Sequence, residues 1–405
     1  MIKPNGQDNK IRLFKVRLKI DRPAEQRQKF LEAWTALKDY FYDPNFHGVN
    51  WAAMKEKYGP IAGQVYTRED FNDVVRLMLG ELNSSHLGIS GPPAKPLVQS
   101  GMLGLRFDPQ YRGDGLKIKE VLPDGPCDRT GNRAQVGEIL VAVNGQKITP
   151  TTNMHQLLWN RVDQFVELTL KQDRPGEEIL RTIRVKPISF NRFLDLEYDR
   201  WVNEKRKKVH QWSQGRLGYI HIRAMGASSL ERFEAELYAE AHNRDALVID
   251  VRNNGGGWTT DFLLAMLMVQ NHAVTIPRDG EEGYPQSRRP LYAWTKPIIV
   301  LCNEYSFSNA EIFSHAIKTL GRGKLVGKPT GGFVISTGSI RLIDGSTFRI
   351  PYRGWYVIGN RINMENNGAI PDIIVADMPG DVVAGVDRQL KRAVAELLTS
   401  LKAGN

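Results

Sequence analysis

The sequence predicts an α/β protein built in three successive parts. Residues 1–95 carry apolar side chains at three-and-four spacing, which is typical of helices. Residues 96–190 contain short apolar segments separated by glycine and proline, which indicates a β-rich domain. Residues 191–405 alternate buried-strand and helix patterns, which predicts a mostly parallel sheet covered by helices.

Length and composition are those of a folded protein with several domains. The 405 residues exceed one ordinary core, since domains average roughly 150 residues. The hydrophobic fraction of 41% and charged fraction of 25% exclude a disordered or fibrous chain. No apolar run is long enough for a membrane span, and the polar opening residues predict no signal peptide. A cytoplasmic location is therefore favoured, and an exported one stays open if the chain is cut from a longer protein.

Charge and cysteine content exclude further classes of protein. The net charge of +10 is spread along the chain, and the one dense basic run, 205–208, is short and follows Glu204. We interpret this run as a solvated helix face, with a contact patch as the alternative. Because no zinc-finger or RNA-binding signature accompanies it, no nucleic-acid partner is predicted. Cys127 and Cys302 give neither a disulfide framework nor a metal cluster, so no metal or cofactor is predicted.

The helical part has a recognisable beginning and end. Apolar stripes over 30–41 and 71–79 predict helices, and Thr67 ahead of two acidic residues predicts a helix start. The second stripe stops near Gly80, and a turn-rich break over 83–93 follows it.

The remaining two parts are predicted from strand and helix patterns. The β-rich part has strands at 101–107, 116–121, 136–145, 166–170 and 182–185. The α/β part has strands at 217–222, 246–251, 297–302 and 324–327, and helices at 229–242, from 261 and at 309–320. In an open α/β sheet, binding and catalytic sites lie at the carboxyl ends of the strands.

Two strand ends carry candidate chemistry. Gly255–Gly257 follow the strand 246–251, and their exposed N–H groups suit an oxyanion, although a plain tight turn is the alternative. Ser306 and Ser308 follow the strand 297–302, where a serine hydroxyl before a helix is exposed. The alternative for Ser308 is helix capping, because Glu311 stands three residues later.

A serine nucleophile needs a base, and the chain has eight histidines. One of them, His86, lies in the loop Ser84-Ser85-His86-Leu87-Gly88 between the helical and β-rich parts. Taken alone, a histidine in a loop is usually an ordinary surface residue.

These motifs occur together in an order that resembles a known family. The series is R-N-N-G-G-G, N-E-Y-S-F-S-N-A-E-I-F, V-G-K-P-T-G-G, I-D-G-S-T-F and E-N-N-G-A-I-P-D. It resembles the carboxyl-terminal processing, or tail-specific, peptidases over residues 24–398, and the Ser-Ser-His loop points to the tricorn-protease branch. The resemblance covers that branch's catalytic core without its β-propellers. It implies a crotonase- or ClpP-like α/β domain and a serine peptidase that cleaves unfolded proteins or oligopeptides.

The resemblance implies a set of catalytic residues. Ser308 matches the nucleophile, His86 the base, Ser85 the adjacent serine and Glu365 the glutamate of a Ser/His/Ser/Glu tetrad. The oxyanion hole is matched by backbone N–H groups, and its candidates are Gly257, Gly256 and Asn309. Asn309 departs from the branch, which has an aspartate there.

The family also contains serine–lysine enzymes. Their lysine follows the G-x-P-T turn, a place that falls at about Phe333 here. Lys328 precedes Pro329 and is interpreted as a surface turn residue.

The β-rich part resembles a PDZ domain. The resemblance is carried by G-L-R-F, L-P-D-G-P-C-D and G-E-I-L-V-A-V-N-G. PDZ domains bind extended peptides by strand addition, which implies substrate contacts at Gly104 and Leu105 on the edge segment 101–107. A purely structural module is the alternative.

A specificity residue is implied by the same resemblance. Asp279 lies in an acidic loop, and the tricorn branch places an aspartate there that lines a pocket for basic residues. Glu281 or Glu282 could serve instead, and a solvated turn is the alternative. Because that aspartate can come from a neighbouring subunit, homo-oligomer formation stays open.

A second function class is kept open by the sequence. The same fold includes relatives that carry apolar ligands, and a PDZ module can act as an adaptor. A catalytically inactive relative of either kind is therefore the alternative to a peptidase.

Overall fold

The computed structural model describes residues 19–91, 98–172, 179–270, 276, 278 and 293–403. The chain divides into two compact units. The first unit joins the amino-terminal residues to 93 with residues 332–368, and the second comprises 94–331 and 369–405. The three-part domain division stays a prediction.

The first unit begins with three helices, α1 (Arg22–Tyr40), α2 (Trp51–Ala62) and α3 (Arg68–Gly80). Thr67 Oγ1 accepts the Asp70 N–H at 3.0 Å, so the predicted start of α3 is confirmed. A short 3₁₀ turn, Phe46–Gly48, links α1 to α2.

An antiparallel three-stranded sheet completes the first unit. Its strands are β1 (Gly88–Ser90), β12 (Ile335–Arg341) and β13 (Thr347–Gly354), in the order β1-β13-β12. Phe348 and Ile350 of β13 join the buried apolar side chains of the three helices in one core. Strand β1 follows directly after the Ser-Ser-His loop, so the loop is held between helix α3 and this sheet.

The described residues of the β-rich part of the second unit form six strands and one short helix. These are β2 (Leu105–Phe107), β3 (Leu116–Val121), β4 (Ile139–Val143), β5 (Gln146–Lys147), α4 (Met154–Leu157), β6 (Val166–Lys171) and β7 (Leu180–Val185). The sheet order is β2-β3-β4-β6-β7 with antiparallel pairing throughout. The predicted strand 101–107 is wrong in its first half, because Gly104 adopts φ +69° and interrupts the extended chain.

A parallel five-stranded sheet forms the centre of the second unit. Its strands are β8 (Leu217–His221), β9 (Ala246–Asp250), β10 (Ile298–Cys302), β11 (Lys324–Gly327) and β14 (Ile373–Ile374), in the order β14-β11-β10-β9-β8. Every neighbouring pair is parallel, as the alternating pattern predicts. Strands β8, β9 and β10 are buried along their whole length, which explains their nearly continuous apolar sequence.

Helices cover both faces of this sheet. They are α5 (Phe190–Ser213), α6 (Ala227–Ala239), α7 (Thr260–Leu267), α8 (Asn309–Thr319) and α9 (Arg388–Ala403). Helices α6, α7 and α8 pack on one face, and α5 and α9 on the other. The sheet therefore fixes the start of α7 and the start of α8 beside the carboxyl ends of β9 and β10.

The basic run on α5 is occupied by contacts within the second unit. Lys205 Nζ lies 2.6 Å from an Asp387 carboxylate oxygen, and Lys208 Nζ donates to the Gly385 carbonyl at 2.6 Å. The Arg206 guanidinium lies 2.6 Å from a Glu236 carboxylate oxygen. These pairs favour a structural role for the run over a contact patch. Among the described residues, no helix combines the length and apolarity that crossing a membrane requires.

Candidate active site

Ser308 occupies a strained turn between β10 and α8. Its φ of 54° and ψ of −118° lie where residues other than glycine are rarely found. The Ser308 N–H donates to the Glu311 carboxylate at 3.1 Å, and the other Glu311 oxygen accepts the Thr330 hydroxyl at 2.6 Å. Because Glu311 is fully buried, this carboxylate holds the turn, and the half-buried Ser308 is presented at the start of α8.

Ser306, the rival nucleophile, has a structural role. Its side chain is 0% exposed. Its hydroxyl donates to the Val251 carbonyl at 2.8 Å and accepts the Asn303 N–H at 3.0 Å. A hydroxyl engaged in this way holds the ends of β9 and β10 together and cannot reach a substrate.

The glycine loop approaches Ser308 closely. A Cβ on Gly256, whose φ is +90°, would lie 2.7 Å from Ser308 Cβ, and a Cβ on Gly257 would lie 1.9 Å from the Met225 carbonyl oxygen. Only glycine therefore fits at either position. The Gly256 N–H donates to Asn254 Oδ1 at 2.9 Å, which favours Gly257 over Gly256 as the donor to an oxyanion.

The Asn309 side chain connects the turn at Ser308 to the glycine loop. Asn309 Oδ1 accepts the Thr260 N–H at 3.0 Å, and the Thr260 hydroxyl donates to the Asn309 carbonyl at 2.9 Å. Thr260 begins α7 only three residues after Gly257. The resemblance implies a function only for the backbone of Asn309. The side chain fixes the spacing between the two segments that carry the candidate oxyanion donors.

A hydrogen-bond chain in the first unit orders the candidate base. Ser85 Oγ lies 2.7 Å from His86 Nδ1 and donates to Glu365 Oε2 at 2.9 Å. Since the single Ser85 hydroxyl proton goes to Glu365, Nδ1 of His86 carries a proton and donates to Ser85, and Nε2 is the unprotonated nitrogen.

Glu365 is buried, and its carboxylate accepts three hydrogen bonds. Its exposed fraction is 3%. It accepts the backbone N–H of Ser85 at 2.6 Å and that of Val334 at 2.8 Å, in addition to the Ser85 hydroxyl. These donors take the place of the water molecules that an exposed carboxylate would bind.

The environment of His86 keeps its imidazole neutral. Burial and, to a smaller extent, the positive charge of the nearby Arg349 together lower the pKa of His86 to about 4. At neutral pH the ring is therefore able to accept a proton rather than donate one.

Three family models match successive parts of the chain. Residues 22–80 match the tricorn protease C1 domain, 106–189 the tricorn protease PDZ domain, and 216–375 peptidase family S41. Residues 216–375 belong to peptidase family S41.

Relatives with known names agree with this family assignment. The tricorn protease homolog 1 of Streptomyces coelicolor is 33% identical over 400 residues, covering 96% of this chain and 37% of the relative. The tricorn protease of Thermoplasma volcanium is 28% identical over 381 residues, covering 92% and 36%. The crystal structure of the tricorn protease superposes with a TM-score of 0.83 at 27% identity, covering 94% of this chain and 37% of that chain. The predicted fold is confirmed, and the chain spans little more than a third of these relatives.

The other predicted residues of this chain lie elsewhere or outside the described residues. Lys328 pairs with Glu304 at 2.8 Å, as expected of a surface turn residue. The Leu105 side chain is buried in the β-rich core and Gly104 is also buried, so peptide contact there would use the backbone of edge strand β2. Asp279 lies outside the described residues, as do the neighbouring acidic residues. The described part of the chain holds no cluster of side chains suited to a metal ion.

A buried ionic cluster anchors the strand end that precedes the glycine loop. Arg252 donates to Asp250 at 2.7 Å and to Asp387 at 3.0 Å, and Tyr219 donates to Asp250 at 2.9 Å. Burial raises the pKa of both aspartates, but Arg252 outweighs burial and lowers both below their ordinary values. The start of α9 is thereby tied to the end of β9.

Removing Arg252 should destabilise the protein strongly. Arg252→Ala leaves the buried Asp250 carboxylate without its cation and leaves Asp387 with Lys205 alone. Breaking a buried pair in this way costs about 3–5 kcal/mol. Because both folded-state pKa values are lowered, this stabilisation is present above the ordinary aspartate pKa of about 4 and is lost as pH falls below it. The free energies of urea unfolding of wild type and variant should differ greatly at pH 7, and the difference should shrink as pH falls from about 4 toward 2. Arg216→Ala, which breaks the exposed pair with Asp245, is the control and should cost less than about 1 kcal/mol. Equal losses for the two variants would contradict the account.

The Asn309 side chain should affect catalysis by positioning the backbone N–H groups of Gly257 and Asn309. Asn309→Ala removes the acceptor for Thr260 and should lower kcat about 10- to 100-fold with little change in KM. Asn309→Asp keeps an acceptor oxygen and should retain most of kcat. Steady-state kinetics on one peptide measure both constants. A raised KM with unchanged kcat in the alanine variant would show that the side chain binds substrate instead.

Proposed function

We propose that this chain is a serine peptidase that cleaves unfolded proteins or oligopeptides through an acyl-enzyme formed on Ser308. The observation that carries the proposal is the chain from His86 through Ser85 to Glu365, which leaves an unprotonated imidazole nitrogen. Membership of residues 216–375 in peptidase family S41 supports the same reaction class.

Acylation begins with proton transfer from Ser308. His86 Nε2 takes the Ser308 hydroxyl proton as the oxygen attacks the peptide carbonyl, and then gives that proton to the leaving amine. In deacylation, a water molecule gives a proton to His86 as its oxygen attacks the acyl carbon. The bond to Ser308 then breaks, the carboxylic acid product leaves, and His86 returns the proton to the Ser308 oxygen.

Ser85 and Glu365 keep the imidazole in the productive tautomer. As His86 becomes an imidazolium, its Nδ1 proton stays bonded to Ser85, whose hydroxyl proton is bonded to Glu365. The buried carboxylate stabilises the positive charge without taking the proton.

Two backbone N–H groups, those of Gly257 and Asn309, stabilise the oxyanion. Each such donor is worth roughly 3 kcal/mol in the transition state. The absence of a Cβ at the glycine loop permits this approach, and the dipole of α8 adds a favourable potential at its amino end.

Two features are proposed to recognise the substrate. Among the described residues, β2 is the terminal strand of its sheet. This position supports strand addition by an extended peptide through the backbone at Gly104 and Leu105. Asp279 remains the proposed ligand for a basic residue before the scissile bond, with a homo-oligomer as a possible arrangement that supplies it. Cytoplasmic location and the three-domain division also remain proposals.

The pH dependence of activity follows from the His86 environment. The neutral imidazole is active, so kcat/KM should fall as pH drops through about 4, below the ordinary histidine range. Arg349→Gln removes a neighbouring positive charge and should raise this inflection. Peptide hydrolysis between pH 3 and 8, with circular dichroism to confirm folding, measures it. An inflection near 6.5 in both proteins would refute this assignment.

The proposed function is tested by hydrolysis of a mixed-sequence oligopeptide library, with products identified by mass spectrometry. Wild-type protein should release fragments, and Ser308→Ala should release none. An intact library with wild-type protein would favour the adaptor or apolar-ligand carrier.

A further inference from the structure

Two aromatic side chains lie exposed immediately after the glycine loop. Trp258 is 58% exposed and Phe262, one turn along in α7, is 53% exposed. Their ring centroids are 5.6 Å apart with an interplanar angle of 80°. An isolated exposed aromatic residue is common, but this edge-to-face pair forms a continuous apolar surface.

The position of this aromatic pair relative to Ser308 is fixed by backbone contacts. The Trp258 N–H donates to the Met225 carbonyl at 2.7 Å, and the Met225 N–H donates to the Gly256 carbonyl at 2.9 Å. Gly256 packs against Ser308 so closely that a Cβ there would lie 2.7 Å from Ser308 Cβ. Trp258 is thus held two residues from the point of contact with the nucleophile turn, at most about 7 Å along the chain.

We propose that Trp258 and Phe262 form a substrate subsite for an apolar side chain, aliphatic or aromatic, of the bound peptide. This inference rests on the proposed peptidase function. An extended peptide advances about 3.3 Å per residue, so a span of about 7 Å places the recognised side chain at the second or third residue from the scissile bond. The subsite is therefore separate from the pocket proposed for a basic residue at the bond itself.

The chemistry of the pair favours an apolar occupant over a charged one. Two rings that meet edge to face offer hydrocarbon surface, whose contact with an aliphatic or aromatic side chain removes water from both partners. Asp261 lies between the two aromatic residues in sequence. A cation on the tryptophan face, assisted by this carboxylate, is the competing outcome that the experiment must distinguish.

The test is cleavage of peptide pools in which one position at a time is varied. Wild-type protein should prefer Leu or Phe over Gly about 10-fold or more at the second or third residue on one side of the bond. Trp258→Ala should reduce that ratio to about 2 or less, Trp258→Phe should restore part of it, and Phe262→Ala should have an intermediate effect. Tyr238→Ala, at a 53% exposed aromatic residue of α6, is the control and should leave the ratio unchanged.

Several results would overturn the inference. One is a Leu-to-Gly cleavage ratio that stays unchanged in Trp258→Ala, with or without a changed oligomeric state. Another is an equal loss of cleavage rate for the Leu and Gly pools. A third is a preference for Lys or Arg at this position that Asp261→Asn removes. The number of fluorophosphonate adducts per chain distinguishes a wrong subsite from a wrong peptidase proposal. If wild-type protein is labelled at Ser308 but the ratio is unchanged, only the subsite is wrong.

Discussion

Ser308→Ala should abolish peptide hydrolysis, with a loss of about 10⁴-fold or more in kcat/KM. The fold should survive, because Glu311 accepts the backbone N–H of residue 308, which alanine retains. Alanine also adopts the positive φ with a cost similar to that of serine. Hydrolysis rates and thermal melting of the purified variant measure the two effects separately.

The matched control for this variant lies two residues away. Ser306→Ala removes the hydroxyl that bonds both the Val251 carbonyl and the Asn303 N–H. It should cost about 1–3 kcal/mol of stability per buried group left unpaired, while activity per folded molecule is largely kept. An inactive Ser306→Ala together with an active Ser308→Ala would reverse the assignment of the nucleophile.

His86→Ala should be nearly as damaging as the loss of Ser308. The serine and histidine are proposed to act as one unit, so the double variant should be little worse than either single variant. Ser85→Ala and Glu365→Gln should have smaller effects on kcat, because they act on the imidazole and not on the substrate.

Lys328→Ala is the control for the base. Lys328 pairs with Glu304 on the surface, and its removal should leave kcat/KM unchanged. An inactive Lys328 variant and an active His86 variant would place this chain with the serine–lysine enzymes.

Patterns local in sequence predicted the parallel sheet well. The apolar runs of β9 and β10 are buried on both faces because helices cover both sides of the sheet. The same logic placed the glycine loop and Ser308 at neighbouring strand ends, where the structure holds Gly256 against Ser308.

Features set by distant contacts could not be predicted from sequence. Arg252 and Asp387 are 135 residues apart and meet only because α9 packs beside β9. The hairpin of β12 and β13 pairs with β1 in the first unit, although it follows strands β8 to β11 of the parallel sheet in sequence. No local pattern specifies either partner.

Details of side-chain geometry were also missed. The Asn309 side chain contacts Thr260, which precedes it by 49 residues. The positive φ of Ser308 leaves no signature in residue type, since serine is not a residue that favours that conformation. The Ser–x–x–Glu spacing is a visible signal for the contact between Ser308 and Glu311, and it is typical of a helix cap.

The central claim, that Ser308 is a nucleophile activated by His86, is tested most directly by covalent labelling. Wild-type protein, Ser308→Ala and His86→Ala are treated with a fluorophosphonate, and the adducts are followed by intact mass and peptide mapping. The account predicts one adduct per chain on Ser308 in wild-type protein, none in Ser308→Ala, and labelling slowed by about 10³-fold or more in His86→Ala. Wild-type protein that remains unlabelled, or an adduct on any other residue, would contradict it.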